Sequence, residues 1–510
     1  MKILRLILGD QLNIKHSWFK EPNDNVVYCL FEMRQETDYV THHIQKVIGF
    51  FGAMRQFSKD LKDKGHHVVY YKINQAENTQ SLTDNLLKVL EKHSIETFEY
   101  LEPDEYRLDH QLIEFCKTID IQYSVSSTEH FYTNRHDLKT FFEGKKQYLM
   151  ENFYRDMRKK HDILMHAGQP EGGKWNYDKS NRNKWKGDVD IPTYKVFKNN
   201  VDAVLLDIEQ SKIKTIGKFD TKTYSYPITR KQALEQLKYF CEALLMHFGD
   251  YQDAMHTDEV YLFHSRLSFA MNIKLISAKD VVKTVLNYYR KHGEDISISQ
   301  VEGFIRQVIG WREYMRGMYW ALMPGFKNEN QLNNKNKLPD FFWTGNTKMN
   351  CLKQAITNSL DNGYAHHIQR LMITGNYALL TETHPDEVDK WYLGIYVDAV
   401  EWVQITNTRG MSQFADGGKI ATKPYVSSAS YINKMSNYCD NCHYNKSKKT
   451  EDNACPFNSL YWNFLDSKRP VLQNNFRMKM MYSVLDKMKT PDLAKLKERA
   501  QHIIAHQDEY

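Results

Sequence analysis

Over the first 130 residues, short β-rich runs alternate with longer stretches of helical spacing. The runs are KILRLIL (2–8), NVVYCLFE (25–32), HHVVYY (66–71), TFEYLE (97–102) and QYSVSS (122–127). Between them, Tyr39 to Lys64 and Leu82 to His93 carry apolar residues at helical intervals. Strands alternating with helices predict a parallel sheet covered by helices. No GxGxxG or GxxxxGK loop follows a strand, so a standard dinucleotide or nucleoside-triphosphate loop is not expected. A ligand here belongs beyond the strand ends, where Gly9, Asp10 and Gln11 follow the first strand.

The pattern changes after residue 130. The stretch HAGQPEGGKWNYDKSNRNKWKGD (166–188) is rich in Gly, Asn, Lys and Asp and reads as an exposed connector. Its Lys174, Lys179, Arg182, Lys184 and Lys186 are interleaved with Trp175, Tyr177 and Trp185, a set suited to a phosphate backbone or to a solvated linker with packing tryptophans. From Lys231 onward helical periodicity dominates: 231–247, 278–292, 298–319, 350–360, 363–376 and 386–405. The expected organisation is an α/β domain (1–130), a connector (131–225) and a larger all-α domain (226–510).

A length of 510 residues suits two or three domains, and a formal charge of +6 is compatible with an anionic partner without requiring one. No apolar run approaches the ~18 residues of a membrane span, and Arg5 and Asp10 interrupt the first apolar run. Seven unevenly spaced cysteines argue against a secreted disulfide framework. The economical class is a soluble cytoplasmic protein, expected to be a monomer.

Three of those cysteines lie in YCDNCHYNKSKKTEDNACPFNSLYW (438–462). Cys439 and Cys442 form C-x2-C, and a polar loop leads to Cys455, so three thiols can share one metal centre. Cys29, Cys116 and Cys241 belong to apolar runs and read as core thiols, whereas Cys351 begins a helix and is the choice for fourth ligand. Zinc and an iron–sulfur cluster both accept four thiolates; Cys455-Pro456 and the aromatics around it favour the cluster modestly.

With these surroundings the chain resembles the iron–sulfur bacterial cryptochromes and photolyases, also called photolyase-related proteins or prokaryotic (6-4) photolyases. The resemblance runs from LRLILGDQL (4–12) to the cysteine loop. It implies a [4Fe-4S] cluster on Cys351, Cys439, Cys442 and Cys455, FAD in the helical domain, and a 6,7-dimethyl-8-ribityllumazine antenna near Gly9, Asp10 and Gln11. HSRLSFAMNIKLIS (264–277) looks like the flavin-phosphate segment, with His264, Ser265, Arg266, Leu267 and Ser268; read alone, it is ordinary helix capping. FIRQVIGWREYMRGMYW (304–320) resembles a flavin-lining helix carrying Gln307, Trp311 and Arg312. WYLGIYVDAVEWVQITNTRGMSQFADGG (391–418) resembles the part that embraces the flavin ring, with Asn407, Gly410, Asp416 and Gly417 as ring or ribityl contacts. Asp398 stands where the wider family commonly has an asparagine facing flavin N5.

In DNGYAHHIQRLMITGN (361–376), His366 and His367 point about 100° apart on a helix, so one can face a pocket while the other packs. The resemblance makes both catalytic candidates, with His367 the proton donor, Tyr364 and Arg370 at the flavin rim, and Leu371 and Tyr425 against the lesion. It also assigns an electron route through Trp343, Trp391 and Tyr392. The function it implies is repair of pyrimidine-pyrimidone (6-4) products in UV-damaged DNA: photoexcited reduced FAD gives an electron to a flipped-out lesion, and a histidine moves the proton. A cryptochrome-like blue-light photoreceptor is the alternative, and a light-independent iron–sulfur DNA-binding protein a third reading.

Overall fold

The computed structural model describes residues 2–221 and 223–510; Met1 and Lys222, which fall in the first and second expected segments, lie outside the described residues. Five strands, β1 (Ile3–Leu6), β2 (Val26–Phe31), β3 (His67–Tyr71), β4 (Thr97–Leu101) and β5 (Gln122–Ser126), form one parallel sheet in the order β3-β2-β1-β4-β5. Each lies inside the run that the β-rich pattern marks. The order reverses between β1 and β4, and such a reversal opens a crevice at the carboxyl ends of the two strands.

Helices cover both faces. On one, α1 (Ile44–Asp63) lays Val47, Ile48, Phe51, Met54, Phe57 and Leu61 against the sheet. On the other, α2 (Leu82–His93) and α3 (Tyr106–Cys116) close a separate core around Leu4, Leu6, Cys29, Phe98, Leu86 and Leu112. The α1 side is continuous with the core of the helical region. His43 fixes that junction. Its Nδ1 accepts the Gln45 N–H at 3.1 Å as the helix cap, so its Nε2–H donates to the Leu360 carbonyl at 2.8 Å across the interface. Burial pushes this imidazole down to about 4, which keeps it neutral in that tautomer.

In the helical region the chain departs from apolar spacing in two ways. The run 386–405 reads as one helix, but it is α4 (Pro385–Ile395), an extended break with Tyr396 at ψ 134°, and a second helix from Glu401. The break carries Asp398. Further, three stretches of seven residues, Arg306–Arg312, Gln369–Gly375 and Thr406–Ser412, are wound as π-helix inside α-helical surroundings. Such turns cost regular hydrogen bonding and are concentrated at functional sites. Among the described residues, no helix is long and apolar enough to cross a membrane.

Candidate functional site

The crevice between β1 and β4 opens into a cavity that is partly open to solvent, with Gly9, Asp10, Glu36, Lys46, Glu105 and Glu401 among its walls. Gly9 and Asp10 line it as expected from the sequence. Gln11 does not: its Oε1 accepts the Leu8 N–H at 3.0 Å and its Nε2 donates to the carbonyls of Leu101 and Glu102, both at 3.2 Å. It ties the ends of β1 and β4 together. Asp10 accepts from Lys274 Nζ at 2.8 Å, and the same ammonium reaches Asp104 at 2.9 Å, which pairs with Arg316 at 3.1 Å. This buried chain of charges locks the cavity floor to the helical region.

On the cavity's other side, Arg107 bridges Glu36 (2.7 Å) and Glu105 (2.6 Å), and Glu401 accepts from the Tyr319 hydroxyl at 2.6 Å. Burial, reinforced by Glu401 and Glu36 against the pull of Arg107, raises Glu105 to about 8. Because the folded-state pKa lies above the usual carboxylate value, its stabilising contribution is complete below about pH 4.5 and is lost as pH rises through 8. A Glu105→Gln variant is therefore expected to gain melting temperature relative to the parent as pH goes from 5 to 8.5; parallel curves would count against a protonated Glu105. Lys46, pushed down to about 7 by burial, donates to the Leu393 carbonyl at 2.7 Å and feels Asp398 beyond the cavity wall.

Behind that wall the helical region gathers a second constellation. Asp398, delivered by the break after α4, accepts both hydrogen bonds of Arg370 Nη2, at 3.0 and 3.2 Å, while its carbonyl takes the Asn272 amide at 2.6 Å. Asn272 in turn accepts from Arg312, whose other nitrogen lies 3.1 Å from His130. The Arg370 guanidinium lies 3.7 Å from the Tyr396 ring centroid. Arg266, in the left-handed conformation at φ 55°, sits over Tyr261 at 4.0 Å and Tyr226 at 4.7 Å, and Tyr261 meets Tyr364 edge-on at 4.8 Å. Leu267 is buried, Ser265 half-buried and Ser268 open.

The histidines lie together. His264 and His366 stack at 4.7 Å with 19° between their rings. Neither ring nitrogen of His366, which lies beside the Ala254 backbone, makes a well-formed hydrogen bond, and Nε2 of His264 and Nε of Arg266 and Arg312 are buried without one. Buried polar atoms are normally paired, so buried atoms left without a good partner are candidates to meet a ligand. Burial lowers all three imidazoles: His264 to about 4 with a push from His367, His367 to about 4 with a push from Arg370, and His366 well below its usual value with its neighbours adding. His367 follows His366 directly in the chain and its side chain is exposed.

Other expected contacts are placed less directly. Gln307 and Asn407 turn their amides back onto their own helices, at Gly303 (3.0 Å) and Val403 (2.7 Å). Trp311 is half-buried and meets Tyr314 at 6.0 Å, and Gly410 packs so closely that a Cβ there would come 2.6 Å from Ile420. Asp416 is buried and caps the Gly418 and Ile420 N–H groups, both at 2.9 Å, with Gly417 exposed between. Trp391 and Tyr392 are buried with centroids 5.3 Å apart. Trp343 is at the surface, 44% exposed, next to Phe342, whose ring meets Trp391 edge-on at 5.0 Å. Tyr392 ends that row against the Arg370 carbonyl at 2.6 Å.

Four cysteines converge. Cys351 is the second residue of the helix Asn350–Asn362, Cys439 and Cys442 flank a turn, and Cys455 caps the helix Pro456–Ser467. Burial raises the Cys351 thiol and the nearby Cys455, Cys439 and Cys442 raise it further, so the four share one neighbourhood. Cys29, Cys116 and Cys241 are buried in the two cores. Among the described residues, no three His, Cys, Asp or Glu side chains form a group that could hold a single metal ion. The cysteine loop reaches the histidines: Gln369 donates to the Tyr438 hydroxyl at 3.0 Å and accepts the His366 N–H at 3.1 Å.

The stretch expected as an exposed connector is partly built in. Asn181 is fully buried and donates to the Ser299 carbonyl at 3.3 Å, Trp185 packs on His256 at 4.9 Å, and Arg155 and Arg158 lie over Trp175. The tryptophans are packing residues, while Lys174, Lys179, Arg182 and Lys186 remain at the surface. Asp178 accepts from Arg182 and, at 2.9 Å, from Arg306. Leu371 is buried and Tyr425 half-buried; the charges of Asp178, Arg182 and Arg477 reach Tyr425, and Arg477 and Arg182 help lower the half-buried Lys423. Asp253, raised to about 6 by burial and Asp178, and Tyr431 complete this rim.

Residues that sequence reasoning missed include Asn272, Tyr226, Tyr261, Tyr396, Lys46 and Asp253. The YSY triplet at 224–226 was the one local signal, since a dense aromatic run before a helix suggests a cation or planar partner.

A family model for deoxyribodipyrimidine photo-lyase-related protein matches residues 5–224. The chain is 41% identical to the (6-4) photolyase of Agrobacterium fabrum over 96% of its own length and 96% of that protein. A 113-residue stretch, 22% of the chain, is 36% identical to 85% of the uncharacterized protein R853 of Acanthamoeba polyphaga mimivirus. Among solved structures, a bacterial class III photolyase from Agrobacterium tumefaciens matches with a TM-score of 0.56 and 13% identity over 96% of this chain and 98% of that one. A cryptochrome of Synechocystis sp. PCC6803 matches with a TM-score of 0.56 and 10% identity over 85% and 86% of the two chains. These two show the fold, and the identity sustained along the whole length shows more: the chain belongs to the photolyase-related protein family.

Proposed function

We propose that the protein repairs pyrimidine-pyrimidone (6-4) products in UV-damaged DNA under blue light, as a (6-4) photolyase. The stacked His264 and His366, with no well-formed hydrogen bond on either His366 ring nitrogen and the exposed His367 beside them, carry this reading, and the relative named (6-4) photolyase supports it. Arg266 and Arg312 would help hold FAD, which would supply the photoexcited electron. The unpaired Nε atoms of both arginines and the aromatic sleeve of Tyr261, Tyr364 and Tyr396 suit an anionic, planar group. Arg370 holds the Asp398 carboxylate, so Asp398 meets a ligand as an already paired anion. The neutral imidazoles offer an N–H to the lesion and can take back a proton without passing through a buried cation pair.

The division into residues 1–130, 131–225 and 226–510 is part of the same proposal: the first segment would hold a 6,7-dimethyl-8-ribityllumazine antenna in the cavity beside Gly9 and Asp10, the last the flavin. The four thiols that share a neighbourhood are the set that would hold a [4Fe-4S] cluster, each corner taking one thiolate. The test is repair of matched oligonucleotides bearing a (6-4) product or a cyclobutane dimer, with reduced holoprotein in light and darkness. Light-dependent restoration of the (6-4) substrate is the expected result; no repair of either lesion by cofactor-loaded protein would overturn the reading.

A further inference from the structure

Beside the rim of Lys423 and Tyr425, the chain sets three large apolar side chains into solvent: Phe476 is 78% exposed, Met480 73% and Val484 49%. Met480 and Val484 lie four residues apart on the helix Lys479–Asp486, whose Tyr482 and Leu485 are buried on the opposite side. The element is firmly mounted. Met478 is buried, the Tyr482 hydroxyl donates to the Leu465 carbonyl at 3.1 Å, and the Asn475 amide donates to the Thr422 carbonyl at 3.0 Å. Thr422 lies three residues before Tyr425, and the charge of Arg477, the residue after Phe476, reaches both Tyr425 and Lys423, so this element lies against the Lys423–Tyr425 rim. A single exposed apolar side chain is ordinary, but three large ones at four-residue spacing, Phe476, Met480 and Val484, present the kind of exposed apolar surface that marks a binding site.

The company of this ring is basic. Lys479 Nζ lies 5.1 Å from the Phe476 centroid, Arg477 is its exposed neighbour, and Arg477 and Arg182 are the charges that reach Lys423. An apolar ring within a cluster of cations complements a nucleic acid, whose base faces are apolar and whose backbone is anionic. We propose that Phe476 is the wedge that fills the gap in the duplex when the damaged pair is turned out into the pocket, with Met480 extending it and Arg477, Lys479 and Arg182 holding the flanking phosphates. The proposal rests on the repair reading above. It explains why the exposed ring is anchored to the Thr422–Tyr425 segment: the two must keep register for one to replace what the other receives.

The experiment compares parent and Phe476→Ala holoproteins on a (6-4) duplex, the same lesion in single-stranded DNA, and an undamaged duplex. Phe476→Ala is expected to weaken lesion-duplex binding about tenfold and to leave single-strand binding unchanged, because a single strand has no gap to fill. Phe476→Trp should restore the duplex affinity. Arg477→Gln should weaken both duplexes and lower the salt slope by about one. Equal duplex affinity for Phe476→Ala and parent would overturn the wedge, as would equal losses on duplex and single strand, or a parent that is a dimer through this face and a variant that is a monomer. A parent that binds no lesion DNA would overturn the repair reading itself and the wedge with it.

Discussion

A Cys351→Ser variant is expected to yield little folded protein, and what folds should lack the broad visible absorbance of an iron–sulfur centre. Cys351 is buried at the start of its helix and is brought to Cys439, Cys442 and Cys455 from almost ninety residues away in the chain. A centre on these four would tie that helix to the cysteine loop and to the helix after Cys455. Structural metal sites contribute on the order of 10 kcal/mol to folding, comparable to the roughly 5–15 kcal/mol that separates a folded domain from its unfolded chain. The control is Cys241→Ser, a core thiol outside the group, expected to cost about 1–3 kcal/mol for an unmatched hydroxyl without changing the spectrum. Soluble Cys351→Ser protein with parental colour and melting temperature would remove Cys351 from the site.

The second large effect is expected from His366→Ala: a 10²- to 10⁴-fold loss of (6-4) repair, the usual range for a proton-transfer group, with flavin content and lesion affinity kept. His366 stacks on His264 and makes no well-formed hydrogen bond at either ring nitrogen, with the Ala254 backbone beside it. Its pH signature separates it from a packing residue. The folded-state values of His264, His366 and His367 all lie below the ordinary 6.5, so the stabilisation tied to their neutral forms is present above that value and is lost as pH falls through about 4. The parent should therefore repair at a constant yield per photon from pH 6.5 to 8 and lose melting temperature below pH 6, a loss that the variant shows less. A parental yield rising threefold or more on acidification from pH 8 to 6.5 would mean that an imidazolium, not a neutral ring, serves the lesion.

Much of this was legible in the chain because the signals were local. The five strands fall where β-branched and aromatic runs mark them, and Cys351 was separable from the other distant thiols because its neighbours are polar while those of Cys29, Cys116 and Cys241 are apolar. What escaped was non-local. The π-wound stretches have no apolar period that distinguishes them, yet they carry Gln307, Arg312, Arg370 and Asn407. The break that delivers Asp398 lies inside a run whose spacing continues a helix, and tertiary pairing with Arg370 and Asn272 decides the matter. Gln11 sits beside two cavity residues but turns away because the ends of β1 and β4 need their backbone groups paired. Lys46 reads as one more polar position on a helix, and only folding shows it buried between two pockets.

The Tyr438 hydroxyl joins two parts of the molecule that differ in what they need from the cell. On one side is the cysteine segment proposed to hold an iron–sulfur cluster; on the other is Gln369, which sets the backbone at His366. On the repair reading, chain made without its metal would carry an intact antenna cavity and flavin arginines but a misplaced histidine, collecting light that it cannot use. Iron supply would then cap ultraviolet tolerance in the dimmest and the brightest light alike, a limit that neither more flavin nor more photons relieves.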